Sequence, residues 1–230
     1  MKPRSHSIRF VDGKYWRSTM IYARSLGILL MVVMVLSGCE LSINSPVVVP
    51  DGESRAGLLT TVNGDVTIGK DCTIEGSSTT VNGSIKVGDG SIVEDLNAVN
   101  GLIRVGKGVS VQGNIESVNG LVELGAESEV SGNVGTENGA IELDNTIVQR
   151  DLRTVNGDIE LRNNSVVKGD VVIKDKADIS KRQSPIEIKV TGGSIIEGDV
   201  VVKRNVDVRL ILSEGGKVLG QVEGAEIITN

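Results

Sequence analysis

Asparagine is the residue whose repetition first asks for a chemical explanation in this chain. It stands before glycine at Asn63, Asn82, Asn100, Asn119, Asn138 and Asn156, at intervals of 19, 18, 19, 19 and 18 residues. An amide side chain both donates and accepts, so copies brought into register could bond to one another in a structural column. A second set is acidic: Glu123, Glu142 and Glu160 hold equivalent places in successive repeats, after Thr67, Lys86 and Arg104. Carboxylates stacked in this way repel by under about 1 kcal/mol per neighbouring pair in water. Hard cations take carboxylate oxygens, so the trio is a candidate divalent-cation site beside the plainer reading of a solvated face. A third set is basic. Lys174, Lys176, Lys181, Arg182 and Lys189 stand out in an acidic chain as a candidate docking loop for an acidic partner or an anionic envelope polymer, or simply as a solvated loop.

Catalytic constellations are missing. The sole histidine is His6, and neither a phosphate-binding glycine loop nor a set of metal-ligating His and Cys is present. The expectation is a non-enzymatic protein without a cofactor. Enzymes built on similar hexad repeats use a catalytic histidine that has no counterpart here.

An abrupt change of composition separates residues 1–38 from the rest. All aromatic residues (Phe10, Tyr15, Trp16, Tyr22), all methionines and His6 lie in that first segment. A basic stretch there precedes the apolar run LGILLMVVMVL at 26–36, which at 11 residues is short for a bilayer span. The run leads into Leu36-Ser37-Gly38-Cys39, which resembles the lipobox of bacterial lipoproteins. That resemblance implies cleavage before Cys39 and lipidation of its thiol, and Glu40 after the cysteine is compatible with export to the outer membrane. Met20 offers a second start ahead of the same apolar run. Removing residues 1–38 takes away six Lys/Arg and one Asp, leaving 18 basic against 29 acidic residues, a net charge of about −11. A polyanion without aromatic rings is a poor partner for nucleic acid. Cys72 is then the lone thiol, on an apolar position that reads as buried.

The elements that must position these side chains follow from the spacing. Residues 39–58 carry Pro46 and Pro50 without a repeat and read as a flexible tether after the lipidated cysteine. From Val62 onward, branched aliphatics recur about every six residues, as at Val62, Ile68, Ile74, Val81, Val87, Val93, Val99, Val105, Val111 and Val118. Three hexads make one unit. Short strands with inward aliphatics, bent at Gly three times per 18–19 residues, describe an all-β, single-stranded parallel β-helix, a three-sided solenoid of either hand. The helix is expected over 59–230, about 35–45 Å long, with an inserted loop at 174–191. The apolar run VRLIL at 208–212 reads as a strand for contacts at the rod's end.

Hexads such as VQGNIE, VKGDVV and IEGDVV are similar to those of bactofilins, polymer-forming bacterial β-helices. The TVNGD repeats are equally similar to the β-solenoid heads of adhesins. The first resemblance implies a rod that self-associates through its ends, and the second a binding module displayed at or beneath the surface. Together with the lipobox they lead to the expectation of a membrane-anchored structural lipoprotein of the cell envelope, with an adhesin-like binding module as the alternative.

Overall fold

The computed structural model describes residues 40–175 and 184–230. Every described element is a strand, and all pairings are parallel. The chain winds into three sheets of ten, ten and nine strands, each strand pairing with its equivalents one coil away. This is the three-sided parallel β-solenoid that the hexads imply. Stacked at about 4.8 Å, ten strands give a rod about 43 Å long.

One coil shows why the sequence winds this way. On the first face, Leu59–Asn63 alternates inward Leu59 and Thr61 with outward Thr60 and Val62. The second face, Val66–Ile68, turns both aliphatics inward. The third, Thr73–Glu75, buries Ile74. Equivalent residues stack into columns, so Leu96, Ile115, Val134 and Leu152 run down the first face while Ile85, Ile103, Val122 and Ile141 run down the second, all fully buried. Each such side chain contributes about 1.5–3 kcal/mol by leaving water. The result is a continuous aliphatic core containing no aromatic ring.

Four expectations need correcting. The valines of the repeated VNG do not point into the core. Val62, Val81 and Val118 are half-buried on the outer surface and Val99 is 36% exposed, while the residue before each is buried: Thr61, Thr80, Ala98 and Ser117. Strand alternation leaves no choice once Leu59 faces inward. The inward hydroxyls of Thr61 and Thr80 also do a job that valine could not. Thr61 Oγ1 donates to the Ser45 carbonyl (3.0 Å) and Thr80 Oγ1 to the Gly64 carbonyl (2.9 Å), satisfying corner carbonyls one coil earlier.

The tether, in turn, is the first coil. Glu40–Ser42, Val47–Val49 and Ser54–Ala56 pair with the next coil on all three faces, and Val47 and Val49 are buried. Pro46 and Pro50 flank the short strand rather than interrupt it.

The inserted loop is shorter than 174–191. Ile186–Val190 is a strand of the second face, with Ile186, Ile188 and Val190 inward. Its alternation of period two escaped a count in sixes. The run at 208–212 is likewise an interior strand, flanked by Ile186–Val190 on one side and Glu226–Thr229 on the other.

Candidate functional site

The asparagine column forms as expected and extends beyond the repeats that suggested it. Each Nδ2 donates to Oδ1 of the preceding rung: Asn82 to Asn63 (2.9 Å), Asn100 to Asn82 (2.9 Å), Asn119 to Asn100 (3.0 Å), Asn138 to Asn119 (3.0 Å) and Asn156 to Asn138 (3.0 Å). Asn63 donates in turn to Asn44 (2.6 Å), a rung in the first coil that the repeat did not mark. At the other end Arg204 Nη1 donates to Asn156 Oδ1 (2.8 Å) and to the Val155 carbonyl (3.1 Å). Register explains the cap. Thr154, Ile173 and Val202 are partners, so Asp175 and Arg204 occupy the next two places in the column after Asn156. The guanidinium reaches back past the point where the chain departs from the coil.

Glycine follows each asparagine for a reason unrelated to turns. Positive φ occurs elsewhere, at Asn145 and Gly90 among others, and not at these Asn-Gly pairs. A Cβ on Gly101 would overlap the Gly83 carbonyl oxygen, and one on Gly120 the Gly101 carbonyl oxygen. The coils approach too closely at this corner for any side chain.

Two further ladders went unread in the sequence. Before the first-face strands that begin at Leu96, Ile115, Val134, Leu152 and Val171, a side-chain Oδ1 accepts the backbone N–H of its equivalent in the next coil: Asp95 from Asn114, Asn114 from Asn133, Asn133 from Asp151, Asp151 from Asp170, and Asp170 from Asp199. Part of the signal was present, as Gly-Asn at 113–114 and 132–133 and Gly-Asp at 169–170 and 198–199, while Asp95 follows Glu94 and Asp151 follows Arg150. At a buried corner, hydroxyls link the coils: Ser91 Oγ accepts from Cys72 N and donates to the Gly69 carbonyl, and Ser128 Oγ accepts from Val109 N and donates to the Gly106 carbonyl. Cys72 lies in this column, free and 1% exposed, as its apolar setting suggested.

The charged column also stacks as expected, from Thr67 through Lys86, Arg104, Glu123, Glu142 and Glu160, and continues to Lys189. Its carboxylates are not gathered for a cation. Arg104 pairs with Glu123 (2.8 Å), and Arg162, from the neighbouring column, bridges Glu142 (3.3 Å) and Glu160 (3.4 Å). A hollow of about 200 Å³ does lie beside Glu142, Asp158, Glu160 and Glu187, but Lys189 sits in it, paired to Glu187 at 2.9 Å. Among the described residues no three His, Cys, Asp or Glu side chains converge as a metal would require.

Of the basic set, Lys174 and Lys189 lie among the described residues, on different parts of the coil. Lys189 belongs to the strand Ile186–Val190, and its pKa is raised by the hydrogen bond and charge of Glu187. Lys174 is exposed where the chain leaves the first face, beside a groove of about 300 Å³ lined by Val99, Val118, Gly135, Arg153 and Val155. Lys176, Lys181 and Arg182 lie outside the described residues, as does Cys39.

The two ends of the rod differ chemically. In the first coil the position equivalent to Ile74 is Arg55, half-buried, with Nε donating to Glu53 (3.2 Å). In the last coil three inward positions stay apolar, Val218, Val222 and Ile227, while Thr229 follows Leu212 in register. Ile227, partner of the fully buried Leu210, is 53% exposed, and Val218 and Val222, partners of Ile196 and Val200, are half-exposed.

Fold and ladders together define a β-solenoid whose polar chemistry is spent on holding coil to coil. No protein-family model matches the chain, and no curated protein or solved structure matches it significantly.

Proposed function

We propose that this chain is a membrane-anchored, non-enzymatic structural lipoprotein of the bacterial envelope, whose rod self-associates through its last coil. The observation that carries the reading is the contrast between the ends. Strands Lys217–Val218, Val222–Glu223 and Glu226–Thr229 each have a neighbour on one side only, and Ile227 stands half in solvent above the aliphatic core. Unpaired parallel edges over exposed apolar residues are a template for another chain. A second last coil, turned about a two-fold axis, would continue the core, whereas the first coil would press Arg55 and Glu53 against it. The expected assembly is a tail-to-tail dimer about 90 Å long. The Leu36-Ser37-Gly38-Cys39 motif supports the anchor, with Cys39 as the lipidated residue, the outer membrane as its site, and the envelope's proteins or polymers as further partners.

Light scattering and electron microscopy of residues 40–230 test the association. Wild-type protein should form dimers of doubled length, and Ile227→Asp should return them to monomers with an unchanged far-ultraviolet spectrum. A wild-type rod that stays monomeric at high concentration sinks the idea. For the anchor, Cys39→Ser should abolish incorporation of labelled palmitate in cells; undiminished labelling would refute it.

A further inference from the structure

We propose that the Asn-Gly column is a latent modification site, whose six pairs deamidate when the coils separate and are held as amides while the ladder is closed. The chemistry belongs to the dipeptide. The glycine nitrogen attacks Cγ of the preceding asparagine, a C–N bond forms, and the side-chain nitrogen leaves as ammonia, carrying the proton lost from the glycine N–H. Water then opens the cyclic imide at either carbonyl, leaving aspartate or isoaspartate. Glycine makes this easiest, because no Cβ shields its nitrogen.

In the closed rod all six asparagine amides are engaged, and so are the glycine nitrogens of Gly83, Gly101, Gly120 and Gly157. Each asparagine amide donates to the preceding rung, and in Asn63 through Asn138 its oxygen accepts from the next. Three of the attacking nitrogens point up the rod: Gly83 N donates to the Asn100 carbonyl (3.2 Å), Gly101 N to the Asn119 carbonyl (3.1 Å) and Gly120 N to the Asn138 carbonyl (3.1 Å). Gly157 N donates to Thr154 Oγ1 (2.8 Å). Attack requires the side chain to rotate and the glycine nitrogen to turn away from its acceptor, which breaks bonds to both neighbouring coils. The reaction therefore runs through local opening.

The ends of the column fit the same account. The first rung among the described residues, Asn44, is followed by Ser45 rather than glycine, so the rung at that end of the column is not an Asn-Gly pair. The last, Asn156, has its oxygen held by Arg204. Deamidation also bars its own reversal. A carboxylate in place of Asn100 would set oxygen against Asn82 Oδ1 at the 2.9 Å now bridged by N–H. Isoaspartate would lengthen the backbone at a corner where the coils touch. A rung modified while open cannot re-form the ladder, so the change is a lasting record of opening.

The test incubates the full chain, in mild detergent and mildly alkaline buffer, with and without urea, and follows the six pairs by peptide mass spectrometry with an isoaspartate-specific label. The pairs should convert at least about ten-fold faster in urea than in the folded rod. In folded protein, verified by circular dichroism, Arg204→Ala should speed conversion several-fold at Asn156 and leave Asn100 unchanged, with Arg204→Lys restoring protection. Equal rates with and without urea would overturn the proposal, and this comparison decides even where Arg204→Ala does not fold. A folded Arg204→Ala protein whose Asn156 converts at the wild-type rate would overturn it as well.

Discussion

At the residue scale, asparagine and glycine serve different ends in the same dipeptide. Asparagine bonds along the rod, and glycine allows the close approach that brings successive rungs within reach. An interior rung takes part in two side-chain bonds, whereas Asn44, the first rung among the described residues, takes part in one with them. Net values of about 0.5–1.5 kcal/mol per hydrogen bond set the scale, with these exposed rungs towards its lower end. Asn119→Ala should therefore cost about 1–2 kcal/mol and Asn44→Ala about half of that, read as shifts of the urea midpoint at constant slope. Equal costs would argue against a cooperative ladder. The column was legible because one residue type recurs at one period. Asn44 was not, since it stands outside the repeated motif and only the fold brings it under Asn63.

The scale of the element is the coil, and its tightest constraint is coil-to-coil distance. Gly101 and Gly135 illustrate opposite cases two coils apart. A Cβ at Gly101 meets the Gly83 carbonyl, while at Gly135 the nearest atom is the Arg153 carbonyl oxygen at 3.5 Å, an ordinary contact. Gly101→Ala should destabilise by about 3 kcal/mol or more, since two backbones must part. Gly135→Ala should be neutral or stabilising by up to about 1 kcal/mol, because alanine is the better strand residue. Thermal unfolding of the two variants decides the matter, and a harmless Gly101→Ala would mean that the corner is looser than its geometry implies. The direction of Val62 belongs to this scale too. Periodicity in sixes finds an aliphatic position but not its face, and a single inward neighbour, Leu59, settles it.

For the whole molecule, the acidic balance makes stability depend on pH through a few carboxylates. Asp65 is lowered below its usual pKa first by the Ser84 amide, then by Lys86, against burial. Lys70 does the same for Asp89, helped by the Lys107 amide. For Asp151, burial is the largest influence and pushes its pKa up, but the Asp170 amide and Arg153 together outweigh it and hold the carboxyl low. Folded values below the unfolded 3.8 mean that the unfolded chain binds more protons in acid. Their contribution is complete above the unfolded value and lost as pH falls through the folded ones. The urea midpoint should be level from about pH 7 to 5 and drop below about pH 4. A midpoint unchanged in acid would show that these pairs add nothing. The raised pKa of Lys70, set mainly by its hydrogen bond to Asp89, works in the opposite direction and is lost only in strong alkali.

The period of the aliphatics and of Asn-Gly was enough to determine winding, parallel register, three faces and an asparagine column, because stacking coils repeats every local rule at one fixed interval. The same period also told which carboxylates share a column. Only the tertiary structure decided what lies across a corner or between neighbouring columns: Arg162 between Glu142 and Glu160, Arg204 over Asn156, and the hydroxyls of Thr61 and Thr80 turned inward. It also placed the first coil, where strands too short to show a repeat gain their identity from the coil above. The contacts across corners and columns join residues whose separation is not the period, or is the period interrupted, so no one-dimensional count could find them; the first coil lies one period of 19 before the second, but its residues do not repeat the motif.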